Sequence, residues 1–266
     1  MKQVLSIASS DCSGGAGIQA DLKTFAAHGV YGMSVVVSVV AENTSRVIGV
    51  EDLSPTMIKQ QIDAVFEDIP VDAVKIGMLS GISCMQAVAE KMQQYAMKHV
   101  VIDPVMVAKN GYALMPEQAV RTLVNEILPF AELLTPNIPE AEVLTGMSIL
   151  TLADMQEAAR RICDLGPQAV LVKGGHRIQD ANDILFDGTA FHQFSSERID
   201  TKNTHGTGCT YSSAITANLA LGLSLPEAVN AAKAYVHTAI LHSLSLGKGC
   251  GPTHHFYELY QHGLRK

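Results

Sequence analysis

The sequence predicts an α/β fold: a mostly parallel central sheet, helices on both faces and an antiparallel β-hairpin at one edge. Three observations predict it. Short aliphatic runs alternate with amphipathic helical stretches along almost the whole 266-residue chain, the pattern of repeated strand–helix units. Several runs, Met33–Val40 above all, are apolar and β-branched nearly throughout, as strands covered on both faces must be. Asp183–Phe194 breaks the rhythm: Ile184-Leu185-Phe186, an Asp187-Gly188 turn and Ala190–Phe194 form a hairpin signal.

Taken in order, Val4–Ser9 is a buried strand, and Ala16–Ala27 a helix that Gly29 ends. Met33–Val40 is the second strand. Pro55–Glu67 is a helix with Ser54 as its cap and Pro55 in its first turn. Ala73–Ile76 is a strand, Cys84–Met97 a helix and Val100–Ile102 a strand. Pro116–Ile127 is helical and Leu133–Leu134 a short strand. Leu152–Leu165 is a helix behind a Thr151 cap, and Ala169–Val172 a strand. After the hairpin, two helices close the chain, from Thr207 and from Leu225. No linker or low-complexity segment interrupts the order, so residues 1–266 are expected to form one domain.

Composition narrows the function. A net charge of −7 argues against a nucleic-acid partner. The longest apolar run, Met33–Ala41, is far shorter than a membrane span, and Val4–Ala8 is too short for a signal peptide. Five cysteines with no paired spacing point to reduced thiols in the cytoplasm.

Ligands of such sheets bind beyond the carboxyl ends of the strands, so the loops there matter most. The strongest stretch is Thr204-His205-Gly206-Thr207-Gly208-Cys209-Thr210, a glycine turn feeding a helix of small residues. Its amides and the helix dipole suit a phosphate, and Cys209 in the first turn is expected to have a lowered pKa. The plain alternative is a glycine turn with a structural cysteine. Asp103-Pro104 puts a carboxylate directly after a strand, and Thr135-Pro136-Asn137-Ile138-Pro139-Glu140 follows the next one. Asn137 and Glu140 have capping-box spacing, a complete structural explanation that can coexist with function. Asp103 and Glu140, as hard oxygen ligands on one rim, suit Mg²⁺. Lys173, before Gly174-Gly175-His176, is either a phosphate partner or a solvated loop lysine. Glu42 at a strand end faces a pocket or solvent, and Met78 lines a wall or the core. No Walker pattern is present. A competing class is an NAD-binding Rossmann oxidoreductase. Gly15-Ala16-Gly17-Ile18-Gln19-Ala20 satisfies the dinucleotide fingerprint, with Glu42 after the second strand, but Asp11 and Asp21 would repel a pyrophosphate.

Together the motifs SGGAGIQADLKTF (13–25), KIGML (75–79), DPVMVAK (103–109), TPNIPEAEVLTG (135–146), VKGGH (172–176), DTKNTHGTGCT (200–210) and GPTHHF (251–256) are highly specific. From Val4 to about Phe256 the chain resembles the hydroxymethylpyrimidine/phosphomethylpyrimidine kinases of thiamine biosynthesis, a ribokinase-like family. The resemblance implies a single ribokinase-like domain and ATP- and Mg²⁺-dependent phosphorylation of an aminopyrimidine alcohol and then of its monophosphate. It implies that Gly206, Gly208 and Cys209 form the anion hole at the transferring phosphate, with the Cys209 thiol deprotonating or orienting the attacking hydroxyl. Asp103 and Glu140 would organise Mg²⁺, Asn137, Lys173 and Lys233 would meet the nucleotide, and Asp21, Glu42 and Met78 would surround the pyrimidine. A homodimer is implied as well. Two positions depart from the family: Ser9 stands where glycine is usual, and Glu42 where glutamine is usual. An amide donates and accepts, whereas an ionised carboxylate only accepts. The related pyridoxal/pyridoxine kinases are the runner-up; they resemble this chain but carry a cysteine where Ala108 stands.

Overall fold

The computed structural model describes residues 1–106, 116–175 and 181–263, so Ala108, Lys109 and His176 lie outside the described residues. One sheet runs through the molecule in the order β3-β2-β1-β4-β5-β6-β7-β8-β9. Its strands are β1 (Gln3–Asp11), β2 (Tyr31–Glu42), β3 (Val47–Asp52), β4 (Ala73–Ile76), β5 (Val100–Ile102), β6 (Leu133–Leu134), β7 (Ala169–Val172), β8 (Asp183–Phe186) and β9 (Phe191–Phe194). Strands β2, β1, β4, β5, β6 and β7 pair in parallel; β3, β8 and β9 are antiparallel additions at the two edges. Strands β4 to β7 are only two to four residues long, yet β4 and β7 are buried at every position. Each fully buried aliphatic side chain stabilises by about 1.5–3 kcal/mol, so burial on two faces compensates for short ladders.

Alternate residues of β1 serve opposite layers. Leu5 and Ile7 join Ile76, Ile102 and Val172 under α2 (Pro55–Phe66), α3 (Ile82–Tyr95), α5 (Ile138–Thr145) and α6 (Leu152–Cys163). On the other face, Val101, Leu133 and Leu171 pack against α7 (Thr207–Ala220) and α8 (Leu225–Leu241). There too Val4 and Ala73 meet α1 (Gly17–Ala27) and the end of α7. From Thr210 to Ala220, α7 is buried all round. Its Ser, Thr and Ala side chains let it lie close to the sheet, α1 and α8.

Several elements differ from the sequence expectation for local reasons. The edge strand β3 is almost wholly exposed and carries Gly49, Glu51 and Asp52, so no hydrophobic pattern marks it. The helix expected over Pro116–Ile127 starts as α4 (Glu117–Thr122) and widens into a π-helical segment, Leu123–Ile127. Pro129, which lacks an N–H, then sits in a 3₁₀ turn, Leu128–Phe130. Besides the two expected closing helices there is a short third, α9 (Tyr257–His262). No helix among the described residues is long and apolar enough to cross a membrane.

Candidate active site

The strand order reverses between β1 and β4, and the loops at the carboxyl ends there and at β5–β7 gather under the start of α7. This is where open α/β sheets bind ligands. Gly206, at φ +76°, turns the chain into α7; a Cβ there would run into the Gly15 carbonyl oxygen. No described side chain caps α7, and its first turn holds no acidic residue. Among the described residues no acceptor meets the N–H groups of Gly208 and Cys209. A Cβ on Gly208 would stand 3.2 Å from Asp103 Oδ2 and 3.5 Å from Lys173 Nζ. The expected anion turn, the β5 carboxylate and the β7 lysine therefore meet.

Asp103 is buried, and its Oδ1 accepts from Lys173 Nζ at 2.6 Å and from Thr135 Oγ1 at 3.1 Å. Asn137 caps α5: its Oδ1 accepts from the Glu140 N–H at 2.9 Å, while Glu140 Oε2 accepts from the Asn137 N–H at 2.8 Å. A parallel bridge joins Asn137 to Lys173, so all four residues share one rim. Burial, reinforced by the Asp103 charge and opposed by Lys173, pushes the Glu140 carboxyl up to about 7. Two buried carboxylates that repel each other in this way fit a hard divalent cation, which relieves their repulsion.

Cys209 is half-buried in the first turn of α7. Its thiol does not behave as the sequence suggested. Burial pushes it up to about 11, and the opposing pull of Lys75 recovers only part of that. A helix N-terminus supplies about 0.3–1 kcal/mol, whereas burial shifts a pKa by up to about 3–5 units. Near neutral pH the sulfur carries a proton.

Asp21, expected beside the pyrimidine, instead lies beneath the site with no exposed surface. Both its oxygens accept from Lys75 Nζ, at 2.9 and 2.8 Å. Ser6 Oγ and Ser213 Oγ complete its shell at 2.6 and 2.7 Å. Four hydrogen bonds from these three donors leave no oxygen for a substrate. Removing one member of such a pair costs about 3–5 kcal/mol, while replacing both is often neutral. The sequence offered one sign of Lys75: a lone cation inside the apolar strand Ala73-Val74-Lys75-Ile76 must find a buried partner.

The first loop also answers the dinucleotide alternative. Asp11 Oδ2 accepts from the N–H groups of Gly15 and Ala16 at 3.0 and 2.8 Å, and Oδ1 from Ser13 N–H at 2.7 Å. The amides that a pyrophosphate would need are filled by the chain's own carboxylate. His205 Nε2 lies 2.9 Å from the same Oδ2, a contact between residues 194 apart that no sequence spacing announces. Burial alone would raise the Asp11 carboxyl, but the bonds from His205, Ser13 and Ala16 hold it well below the usual carboxylate range. Glu42 stands close by, a carboxylate oxygen within 4.8 Å of an Asp11 oxygen and a His205 ring nitrogen, and burial plus the Asp11 charge push it up to about 7. Met78 is half-buried after β4, and its carbonyl accepts from Ser9 Oγ at 3.1 Å. The side chain of Ser9 is thus absorbed, at a bulge between Ala8 and Ser10, in tying two rim loops together. Lys233 is held at 2.6 Å by Asp183 Oδ2 and at 2.5 Å by the Ala181 carbonyl. Asp183 Oδ1 in turn accepts from Gly174 N–H, so Lys233 braces the loop that follows Lys173.

Residues 11–254 match the model of the family described as Phosphomethylpyrimidine kinase. The chain is 50% identical to the hydroxymethylpyrimidine/phosphomethylpyrimidine kinase of Rhizobium meliloti, over 97% of this chain and 98% of the relative. It is 52% identical to the thiamine biosynthesis bifunctional protein ThiED of Geobacter sulfurreducens, over 95% of this chain, and spans 52% of that longer protein. Among solved structures, the ADP complex of Bacillus subtilis pyridoxal kinase superposes with a TM-score of 0.89 at 40% identity, covering 96% of this chain and 98% of that one. With its carboxylate–lysine rim beneath an open helix start, and with this depth of similarity, the chain belongs to the phosphomethylpyrimidine kinase family.

Proposed function

We propose that this phosphotransferase moves the terminal phosphoryl group of ATP to the hydroxymethyl group of 4-amino-5-hydroxymethyl-2-methylpyrimidine, and then phosphorylates the monophosphate to the diphosphate. The observation that carries the proposal is the uncapped start of α7, whose Gly208 and Cys209 amides open toward Asp103 and Lys173. Phosphoryl transfer passes through a loose transition state, so positioning and charge stabilisation supply most of the catalysis. The α7 amides take the oxygens of the transferring group, and Lys173 with Asn137 steadies the remaining phosphates. Asp103 and Glu140 would hold Mg²⁺, which when bound neutralises phosphate charge. With its proton in place, the Cys209 thiol orients the acceptor hydroxyl rather than acting as a strong base. Glu42, carrying a proton up to about pH 7, both donates and accepts, as the amide usual in the family does. It therefore suits the amino group and adjacent ring nitrogen of the pyrimidine, with Met78 as the apolar wall.

The chain works as a single domain. Val39, Ile48 and Val50 are exposed along the open β2–β3 edge, which supports a homodimer through that edge. The five cysteines stand as thiols rather than disulfides, in keeping with a reducing cytoplasm. The test is a competition: the protein, ATP and Mg²⁺ are incubated with the aminopyrimidine alcohol and pyridoxine together, and products are identified by mass. The expected products are the pyrimidine mono- and diphosphates. Phosphorylation of pyridoxine alone would overturn the assignment in favour of a vitamin B6 kinase, the activity named for the Bacillus subtilis neighbour.

A further inference from the structure

We propose that Lys75 is a positioning residue for phosphoryl transfer, its ammonium clamped by Asp21 as a fixed positive charge beneath the α7 N-terminus that aligns the Cys209 thiol and favours negative charge above it. The inference rests on the proposed role of that helix start. Lys75 lies on β4 between Val74 and Ile76, which face the α2–α3 layer, so its own side chain faces α1 and α7. That side chain runs toward the carboxyl end of the strand: a Cβ on Gly77 would lie 2.6 Å from Lys75 Nζ. On α7, Cys209 and Ser213 sit four residues apart and share one face. Ser213 fastens Asp21 at 2.7 Å, Ser6 fastens it from β1 at 2.6 Å, and Asp21 grips Lys75 with both oxygens. The clamp thus hangs from the helix that carries the thiol, one turn below it.

A wholly buried ion pair is not needed to hold a sheet together, since apolar side chains of similar size often serve as well. Its value lies in the field it makes. In a site of low dielectric a fixed charge acts far more strongly than in water and needs no reorganisation during the reaction. The ammonium outweighs its partner at the sulfur: Lys75 draws the Cys209 pKa down more than Asp21 raises it.

The test compares the parent with the paired substitution Lys75→Met/Asp21→Asn, which removes both charges at once. Expected are a melting temperature close to the parent's, KM values for ATP and the aminopyrimidine within about 3-fold, and kcat lower by about 10²-fold. Alkylation of Cys209 by iodoacetamide at fixed pH, followed by mass spectrometry with exposed Cys12 as the internal reference, should slow by about 10-fold, in line with a less favoured thiolate. A folded double variant with parental kcat and parental alkylation would overturn the inference. Should that variant not fold, Ser213→Ala decides: it deletes one hydroxyl from the clamp, and an unchanged kcat together with unchanged alkylation of Cys209 would sink the idea. A parent enzyme that phosphorylates no pyrimidine at all would instead strike the underlying function, which keeps the two failures apart.

Discussion

Two helices of this protein begin at a glycine–x–glycine turn, and they use their free amides in opposite ways. At α1, Gly15 and Ala16 both donate to Asp11, so the helix start is closed by the chain itself. At α7, Gly208 and Cys209 donate to no described acceptor, no described side chain caps the turn, and a carboxylate–lysine pair stands opposite. Both sequences advertise an anion site, but only the second leaves its amides open to one. A glycine turn reports that amides are clustered; whether they are vacant depends on what the rest of the fold puts in front of them.

The contrast can be broken or sharpened by substitution. The largest effect is expected for Gly206→Ala. It combines a left-handed φ with a Cβ aimed at the Gly15 carbonyl, where the two turns touch. Destabilisation by about 3 kcal/mol or more and loss of measurable transfer are expected, read by thermal melting and a product assay. Parental melting and activity would show that the turns need no contact.

Next is Cys209→Ala, with kcat reduced by about 10²-fold and both KM values little changed. A thiolate base would make parental kcat climb with pH toward about 11, whereas an orienting thiol gives no such rise. Near-parental kcat in the variant would remove the sulfur from the mechanism.

Asp11→Ala should open the α1 turn and cost about 1–3 kcal/mol through unsatisfied amides, part of it restored by added sulfate. The Asp11 pKa is depressed on folding, so its contribution is full above the ordinary carboxylate range and is lost as pH falls below it. The stability gap between parent and variant should therefore narrow in acid. A gap that stays constant from pH 7 to pH 3 would show that the Asp11 charge is not what fills the turn.

The smallest effect is expected for Glu42→Gln, with the pyrimidine KM within about 3-fold of parent at neutral pH. Because the Glu42 carboxyl loses its proton near 7, parental affinity should decline above that pH while the variant stays level. Complete loss of pyrimidine binding in the variant would reveal a need for the charge itself.

Much of this was visible in one dimension. The bounds of β4, β5, β6 and β7 coincide with the apolar runs, because strands buried on both faces must be continuous hydrophobic blocks. Asp103, Asn137, Glu140 and Lys173 were legible for the same reason: each follows such a block by only a few residues, and parallel strands deliver such loops to one rim. The exposed strand β3 left no pattern to find. What only the tertiary structure decided are pairings across distance and the consequences of burial. Asp21 faces Lys75 rather than a substrate, 54 residues away, and Asp11 meets His205 across 194. The thiol of Cys209 rises in pKa where its helix position alone predicted a fall. Local spacing sets helices, strands and turns through short-range sterics and hydrophobic periodicity. Charge states and partners depend instead on which distant groups share a water-poor space, and that is known only once the chain has closed.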